Sequence, residues 1–383
     1  MYICIRNTNT VPMRLPRIVI TVIALLALSW TARAQWSYDI PFPKPFMAAP
    51  DTVSVTFIGD VMMHSNQLKY DYDGFFSELG PILQDADISV ANLEFSLAGK
   101  PYTGYPSFSA PDGYAYSIAG HGVDVFLTAN NHILDKGRRG LKRTLQVYDA
   151  MRDSLGIRYT GCAADPAADS LLNPLVVVLR GIRIAFVNFT YGNNYEPYEG
   201  WPVIRMMDRE DVGSMITRAK EKEADFIVVL PHWGDEFKLK HSREQAEWAE
   251  WLVQQGSDLI VGAHPHVVQD TSHVHGVPVI YSMGNAVSNM SAENTRLELA
   301  VRARFVHYPD GSKKMLEPEL SFLWCCLPGT LRDNYVTIPV ADFLGRRDEW
   351  IDPSDYDNMT TTYKRVTKET GIIYEENHQA GSN

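Results

Sequence analysis

From Val53 to about residue 340 the chain alternates short unbroken apolar runs, rich in β-branched residues, with longer stretches whose apolar positions recur every three or four residues. The first kind fits strands buried on both faces and the second fits amphipathic helices, so the alternation predicts βαβ units. GRRGLKRTLQVYDAMRDSLG is of the helical kind, with Leu141, Leu145 and Tyr148 on one face and Gly156 as its stop. SREQAEWAEWLVQQG is bounded in the same way: Ser242 and Gln245 are spaced for a capping box, Trp248, Trp251 and Leu252 form the stripe, and Gly256 closes it. The rhythm breaks at LVVVLRGIRIAFVNF, where two β-branched runs on either side of Arg180 and Gly181 predict an antiparallel hairpin. LELAVRARFVHY and MLEPELSFLWCCL read as further antiparallel strands, so an α/β fold with mixed sheets is expected.

The N-terminal pattern is different. Arg6, Arg14 and Arg17 precede an apolar run from Ile18 to Trp30, and TARAQ follows with Ala32 and Ala34 at the small-residue positions. The run is shorter than the roughly 20 residues of a membrane span, and its A-x-A ending suits signal peptidase. Residues 1–34 are therefore expected to be a signal peptide, leaving the mature chain in the periplasm or outside the cell. The proline-rich residues 35–52 read as a lead-in, 53–340 as one domain and 341–383 as a C-terminal extension.

Charge narrows the partners. The chain has 35 Lys and Arg against 46 Asp and Glu, a net of −11, and removing residues 1–34, with four arginines and no acid, takes it to −15. Phosphate binding needs a basic face that releases counterions, so nucleic acid is not an expected partner. Cys162, Cys325 and Cys326 are too few and too unevenly placed for a disulfide framework; the adjacent pair reads as a buried strand and not as a vicinal bridge.

Candidate chemistry clusters where strands end. Asp60 follows VSVTFIGD, Glu94 follows ISVANLE, Asn131 and His132 follow VDVFLTANNH, His232 follows DFIVVLPH, and His264 and His266 follow DLIVGAHPH. In an α/β sheet these ends converge on one crevice, so residues far apart in sequence can surround an ion. An ionised Glu94 at the end of a buried strand requires a cation or strong hydrogen bonds. Asn131 and His132 divide two tasks, an amide oxygen for a metal and a neighbouring imidazole free for proton transfer. Oxygen and nitrogen donors without a thiolate suit Mn, Fe, Zn or Mg, and two such ions are expected, which makes a metal-dependent hydrolase the leading reading.

FIGDVMM, ANLE, LTANNHILDKGRRGL, HWGDEF, DLIVGAHPHVVQ and VIYSMGN, in this order over roughly Val53 to Ser288, resemble the CapA family of poly-γ-glutamate capsule proteins, related to the calcineurin-like metallophosphoesterases. The resemblance implies a four-layer α/β/β/α sandwich of the metallophosphoesterase type, with the metal site at one edge of its two central sheets. It implies Asp60 and His266 on one metal, Asn131, His232 and His264 on the other, Glu94 bridging them, and His132 as general acid. Trp233, Glu236 and Asn285 would line the substrate pocket, while Asp135 reads as the cap of the helix beginning near Gly137. Met62 stands where phosphoesterases carry a histidine, and Ala286 where CapA-like chains carry Phe, which would widen the pocket. His64 either substitutes for the missing histidine or, as expected, faces solvent at a helix start.

The resulting expectation is an exported hydrolase or transferase acting on an envelope polymer or small molecule, with a membrane-associated envelope complex as a possible setting. Two alternatives are a non-catalytic envelope scaffold and a binding module that uses Tyr102, Tyr105, Phe108, Tyr114 and Tyr116 as an aromatic platform.

Overall fold

The computed structural model describes residues 50–195 and 198–372; the predicted signal peptide, the lead-in up to residue 49 and the extension beyond residue 372 lie outside the described residues. In chain order the first half carries β1 (Asp51–Val61), α1 (Gly80–Gln84), β2 (Ile88–Leu93), α2 (Asp112–Gly120), β3 (Val125–Leu127), α3 (Gly137–Leu155), β4 (Arg158–Thr160), β5 (Cys162–Ala163), α4 (Pro166–Leu172), β6 (Leu175–Leu179), β7 (Ile182–Thr190) and β8 (Val203–Ile204). The second half adds α5 (Arg209–Glu221), β9 (Phe226–His232), α6 (Arg243–Gln254), β10 (Leu259–Val261), β11 (Thr271–Val274), β12 (Val277–Ile280), β13 (Asn285–Val287), β14 (Leu297–His307), β15 (Lys313–Met315), β16 (Glu319–Cys326), β17 (Val336–Pro339), α7 (Val340–Phe343) and α8 (Pro353–Thr370).

Two mixed sheets form the centre. One runs β17-β16-β14-β1-β2-β3-β4, with β13 beside the end of β1 and β15 beside β14; the other runs β11-β12-β10-β9-β7-β6. Strands β1 to β4 are mutually parallel, as are β7, β9, β10 and β12. The antiparallel members include the expected ones, with β6 paired back on β7 and β14 and β16 running against their neighbours, and also β11, β15 and β17. The sheets pack face to face through Phe57 against Phe186, ring centroids 6.2 Å apart, and Phe226 against Phe305, 5.0 Å apart.

The outer faces are covered by the predicted amphipathic helices. Tyr114 and Ile118 of α2 and Leu141, Leu145 and Tyr148 of α3 share a core with Ile58, Ala91 and Phe126 of the first sheet. Val212 and Ile216 of α5 and Trp248 and Leu252 of α6 share another with Val187, Val229 and Ile260 of the second. The result is an α/β/β/α sandwich. Gly156 ends α3 in the left-handed conformation at φ +78°, and Ser242 and Gln245 make the expected capping box on α6.

Residues beyond 340 also contribute to a core. Met359 and Val366 of α8 pack with Leu297, Leu299, Phe322 and Trp324, covering the part of the first sheet formed by β14 and β16. A buried ion pair fixes the helix: Arg296 meets Asp355 with both nitrogens, at 2.5 and 2.7 Å, while its guanidinium lies 4.4 Å from the Trp324 ring. All three described cysteines are free and buried, so Cys325 and Cys326 form no vicinal bridge. Among the described residues no helix is long and apolar enough to cross a membrane.

Removing Asp355 leaves the Arg296 guanidinium buried without its counter-charge, a change that typically costs about 3–5 kcal/mol. Asp355→Ala is expected to lower unfolding free energy by that order in urea denaturation, and Asp355→Asn by less. A loss below about 1 kcal/mol for Asp355→Ala would show that α8 is held by its apolar face alone.

Candidate metal centre

The C-terminal ends of β1, β2 and β3 from one sheet and of β9 and β10 from the other meet at one edge of the sandwich. Asp60 is the penultimate residue of β1, Glu94 follows β2, Asn131 and His132 lie in the turn after β3, His232 ends β9, and His264 and His266 lie in the loop after β10. All seven are buried. Asn188 of β7 cross-links the two sheets directly below: its Oδ1 accepts from the backbone N–H of Thr128 and Ala129, and its Nδ2 donates to the Leu230 carbonyl at 2.8 Å. This amide fixes the loop that bears Asn131 against the strand that bears His232.

Backbone geometry at the edge is specialised. A Cβ on Gly59 would lie 2.0 Å from the Gly284 carbonyl oxygen, and that oxygen accepts from Asp60 N–H at 2.9 Å, so only glycine lets β1 and β13 approach here. His264 and His266 both have positive φ, +102° and +58°. Such conformations cost a non-glycine residue of order 1–3 kcal/mol and concentrate at functional sites.

The side chains converge on the Glu94 carboxylate. Its Oε1 lies 3.7 Å from His266 Nε2, 3.8 Å from His232 Nε2 and 4.0 Å from His132 Nε2. Those separations exceed hydrogen-bond distance, and both Glu94 oxygens are buried with no partner, as is His264 Nδ1. Donors about 2.0–2.2 Å from a shared ion stand roughly 3–4 Å apart, which is the spacing seen here. Donor atoms of Glu94, His264 and His266 fall within 4.8 Å of one another, and so do those of Asp60, Glu94 and His232. The orphaned carboxylate, the spacing and the oxygen and nitrogen donors together fit a divalent metal.

Electrostatics agrees. Burial, then the charge of Asp60, holds Glu94 well above the usual carboxylate range. Burial and then neighbouring imidazoles hold His232 and His264 well below the usual histidine value, so both rings are neutral at pH 7. Burial also opposes charge on His266, but Glu94 and Asp60 outweigh it and hold that ring at about 10.

Several expectations are corrected. Glu94 is common to both donor groups, and His266 Nδ1 also lies 3.4 Å from Asp60 Oδ2. Asp135 caps no helix: its Oδ2 accepts from His132 Nδ1 at 2.8 Å and from Phe108 N–H, and Lys136 is the N-cap of α3 without a side-chain bond. Trp233 is fully buried in the core under α5 and α6, with its indole N–H on the Tyr281 carbonyl, so it offers no surface to a substrate. Asn285 is likewise fully buried; its Oδ1 accepts from His266 Nδ1 at 2.9 Å, and it holds that ring instead of lining a pocket. Glu236 is exposed on the loop after β9 and makes none of the described hydrogen bonds to the histidines, though its charge helps to raise Glu94. Ala286 and Met62 are buried in the apolar core beneath α2 and α3, so Ala286 widens no pocket. His64 does not face solvent: its Nε2 is buried, and burial, then His266 and His132, hold it at about 4.

Three contributors were not singled out from sequence. Asn92 donates to Asp60 Oδ1 at 2.6 Å and lies 3.3 Å from His232 Nδ1, linking donors from two sheets. Its place in ANLE, two residues before Glu94, was the available signal, because β2 alternates and both side chains face the same way. Tyr191 lies 4.4 Å from the His264 ring and Phe237 6.3 Å from that of His266, two partly exposed aromatics at the mouth of the site. Of the proposed aromatic platform, Phe108 and Tyr114 are core residues and Tyr105 and Tyr116 are exposed.

The family described as bacterial capsule synthesis protein PGA_cap matches residues 54–290. The chain is 28% identical over 294 residues to the PGA biosynthesis protein CapA of Bacillus subtilis, covering 73% of each chain. It is 26% identical over 313 residues to the capsule biosynthesis protein CapA of Bacillus anthracis, covering 77% of this chain and 74% of that one. Among solved structures, the sulfate thiohydrolase SoxB of Thermus thermophilus, in complex with glycerol, matches with a TM-score of 0.44 at 12% identity, over 87% of this chain and 62% of that one.

Metal loading must displace the proton that His266 holds when metal-free. With the Glu94 and Asp60 carboxylates holding His266 at about 10, that ring carries a proton near neutrality, so apparent affinity is expected to rise with pH from the acid side to about pH 10. Calorimetric titration at pH 7 in buffers of different ionisation enthalpy should register proton release on metal binding. Binding that takes up protons, or that weakens as pH rises from 6 to 8, would contradict this electrostatic picture.

Proposed function

Because the chain belongs to the bacterial capsule synthesis protein family PGA_cap, we propose that it is an exported, metal-dependent hydrolase or transferase that acts in capsule or envelope polymer synthesis. The observation that carries the proposal is the Glu94 carboxylate, buried without a partner among three imidazole Nε2 atoms. Asp60, Glu94, Asn131, His232, His264 and His266 are the residues that would hold two divalent ions. Bound there, two ions supply an activated water and polarise the carbonyl or phosphoryl oxygen under attack.

The remaining work falls to the chain's own residues. His132 donates its Nδ1–H to Asp135, which fixes the tautomer and leaves Nε2, 4.0 Å from Glu94 Oε1, to exchange a proton with the leaving atom. Phe108 stands edge-on to the His132 ring with centroids 4.6 Å apart and limits its rotation. Asn131 Oδ1 lies 2.8 Å from His232 Nε2, keeping that ring turned toward the centre. The exposed rings of Tyr191 and Phe237 lie beside those of His264 and His266.

The names of the relatives favour a γ-glutamyl polymer as the material handled, and the fit to metal also admits phosphoesters. An acidic protein meets a polyanion most readily through bound cations, which is consistent with placing the metal centre at the point of contact. Screening the metal-loaded protein against γ-glutamyl peptides and phosphoesters tests the proposal. On the substrate found, His132→Ala is expected to lose about 10²- to 10⁴-fold in turnover while retaining its metal, because a proton-transfer group is lost and a ligand is not. His232→Ala is expected to lose metal and activity together. Normal turnover by His132→Ala would refute the proton-transfer assignment.

A further inference from the structure

His64 belongs to none of the roles assigned so far. It lies four residues beyond Asp60, at the head of the 3₁₀ turn Ser65–Lys69, and its backbone N–H donates to Gln67 Oε1 at 2.7 Å. The loop that closes over this turn is tied to it, with Gly104 N–H on Ser65 Oγ at 3.0 Å. The same loop reaches Asp135 through Phe108 N–H at 2.6 Å. Phe108 is the common wall: its ring meets His64 edge-on at 5.2 Å and His132 edge-on at 4.6 Å. The two imidazoles are therefore held in one neighbourhood by one phenyl ring.

The unexplained feature is His64 Nε2, which is buried and has no hydrogen-bond partner. A buried polar atom left unpaired costs about 1–3 kcal/mol, so a residue placed this way requires an external partner. Glu94 Oε1 and Oε2 and His264 Nδ1 are in the same condition. The charge-bearing groups that act most on His64 are His266 and His132, and both of their Nε2 atoms border Glu94. Met62, between Asp60 and His64, buries its side chain in the apolar core and contributes no donor.

We propose that His64 Nε2 is a further ligand of the metal centre, adding an imidazole to the Asp60, Glu94 and His266 side. This rests on the metal-dependent reading above. Asp60, Glu94 and His266 alone supply a carboxylate-rich set of three, and His64 brings it to the four side-chain donors that a closed tetrahedral site uses. A fourth protein ligand on that side would make its ion the more tightly held, with the exchangeable position for water and substrate on the other ion.

Cobalt(II) titration of the full-length chain, followed by calorimetry and by visible absorption, tests the assignment. Wild type is expected to bind two ions. His64→Ala is expected to keep one site unchanged, to weaken the other by at least about 10- to 100-fold, and to show an altered cobalt spectrum that added imidazole restores. His64→Gln, which retains bulk against Phe108, guards against misfolding of the alanine variant and should show the same weakening with an unchanged circular dichroism spectrum. Wild-type affinity at both sites and a wild-type spectrum in either folded variant would overturn the His64 assignment alone. A wild-type chain that binds no cobalt, or a His232→Ala control that binds as wild type does, would overturn the metal reading and this proposal with it.

Discussion

A carboxylate buried without a hydrogen bond is among the costlier things a fold can contain, and Glu94 is one. Taking an ionised carboxylate out of water is tolerated only if a cation or strong donors replace the lost hydration. The protein supplies no hydrogen bond: both oxygens are partnerless, three imidazole nitrogens stand just outside hydrogen-bond reach, and the nearby cation is His266, 3.7 Å away. In the metal-free state the conflict is eased by protonation, with Glu94 held well above its ordinary range and His266 held at about 10. The centre thus stores an unfavourable arrangement that a divalent ion relieves.

The rest of the sandwich keeps that arrangement from collapsing. Relaxation would require the ends of β2, β9 and β10 to move relative to one another, and several features oppose it. Asn188 and Asn92 bind elements of both sheets at once, so a shift of one sheet breaks hydrogen bonds in a buried site. The Gly59–Gly284 contact locks β1 to β13, and Glu298 reinforces it by accepting from Gly59 N–H at 2.6 Å. The left-handed backbone at His264 and His266 is a further cost borne at the same edge. Helices on both outer faces, and α8 beyond them, bury enough apolar surface to offset these local penalties.

Much of this was legible in the sequence because burial and periodicity act locally. The strands, the α3 and α6 helices and the β6–β7 hairpin follow from patterns within a dozen or so residues, and the donor residues stand out because polar groups rarely terminate buried runs. What was not legible depends on contacts across the chain. Asp135 sits where a helix cap belongs, yet the nearer acceptor need is the His132 ring; only the folded turn shows this. Trp233 directly follows His232 but points into the core, because adjacent residues at a strand end face opposite ways, and Asn285 meets the His266 ring from 19 residues away, a contact no local pattern shows. His64 looked like a solvent-facing turn residue because nothing local reveals that the loop bearing Gly104 and Phe108 folds over it.

The central claim is that Glu94 destabilises the metal-free fold and is kept for the ion it binds. The most direct measurement is the unfolding free energy of Glu94→Gln and wild type, each with chelator and with saturating divalent metal. Removing the charge without changing the shape should raise metal-free stability, by an amount of order 1–3 kcal/mol, and should abolish the gain that metal gives the wild type. A variant that is less stable than wild type without metal, yet gains as much from metal, would show that the carboxylate serves the fold and not the ion.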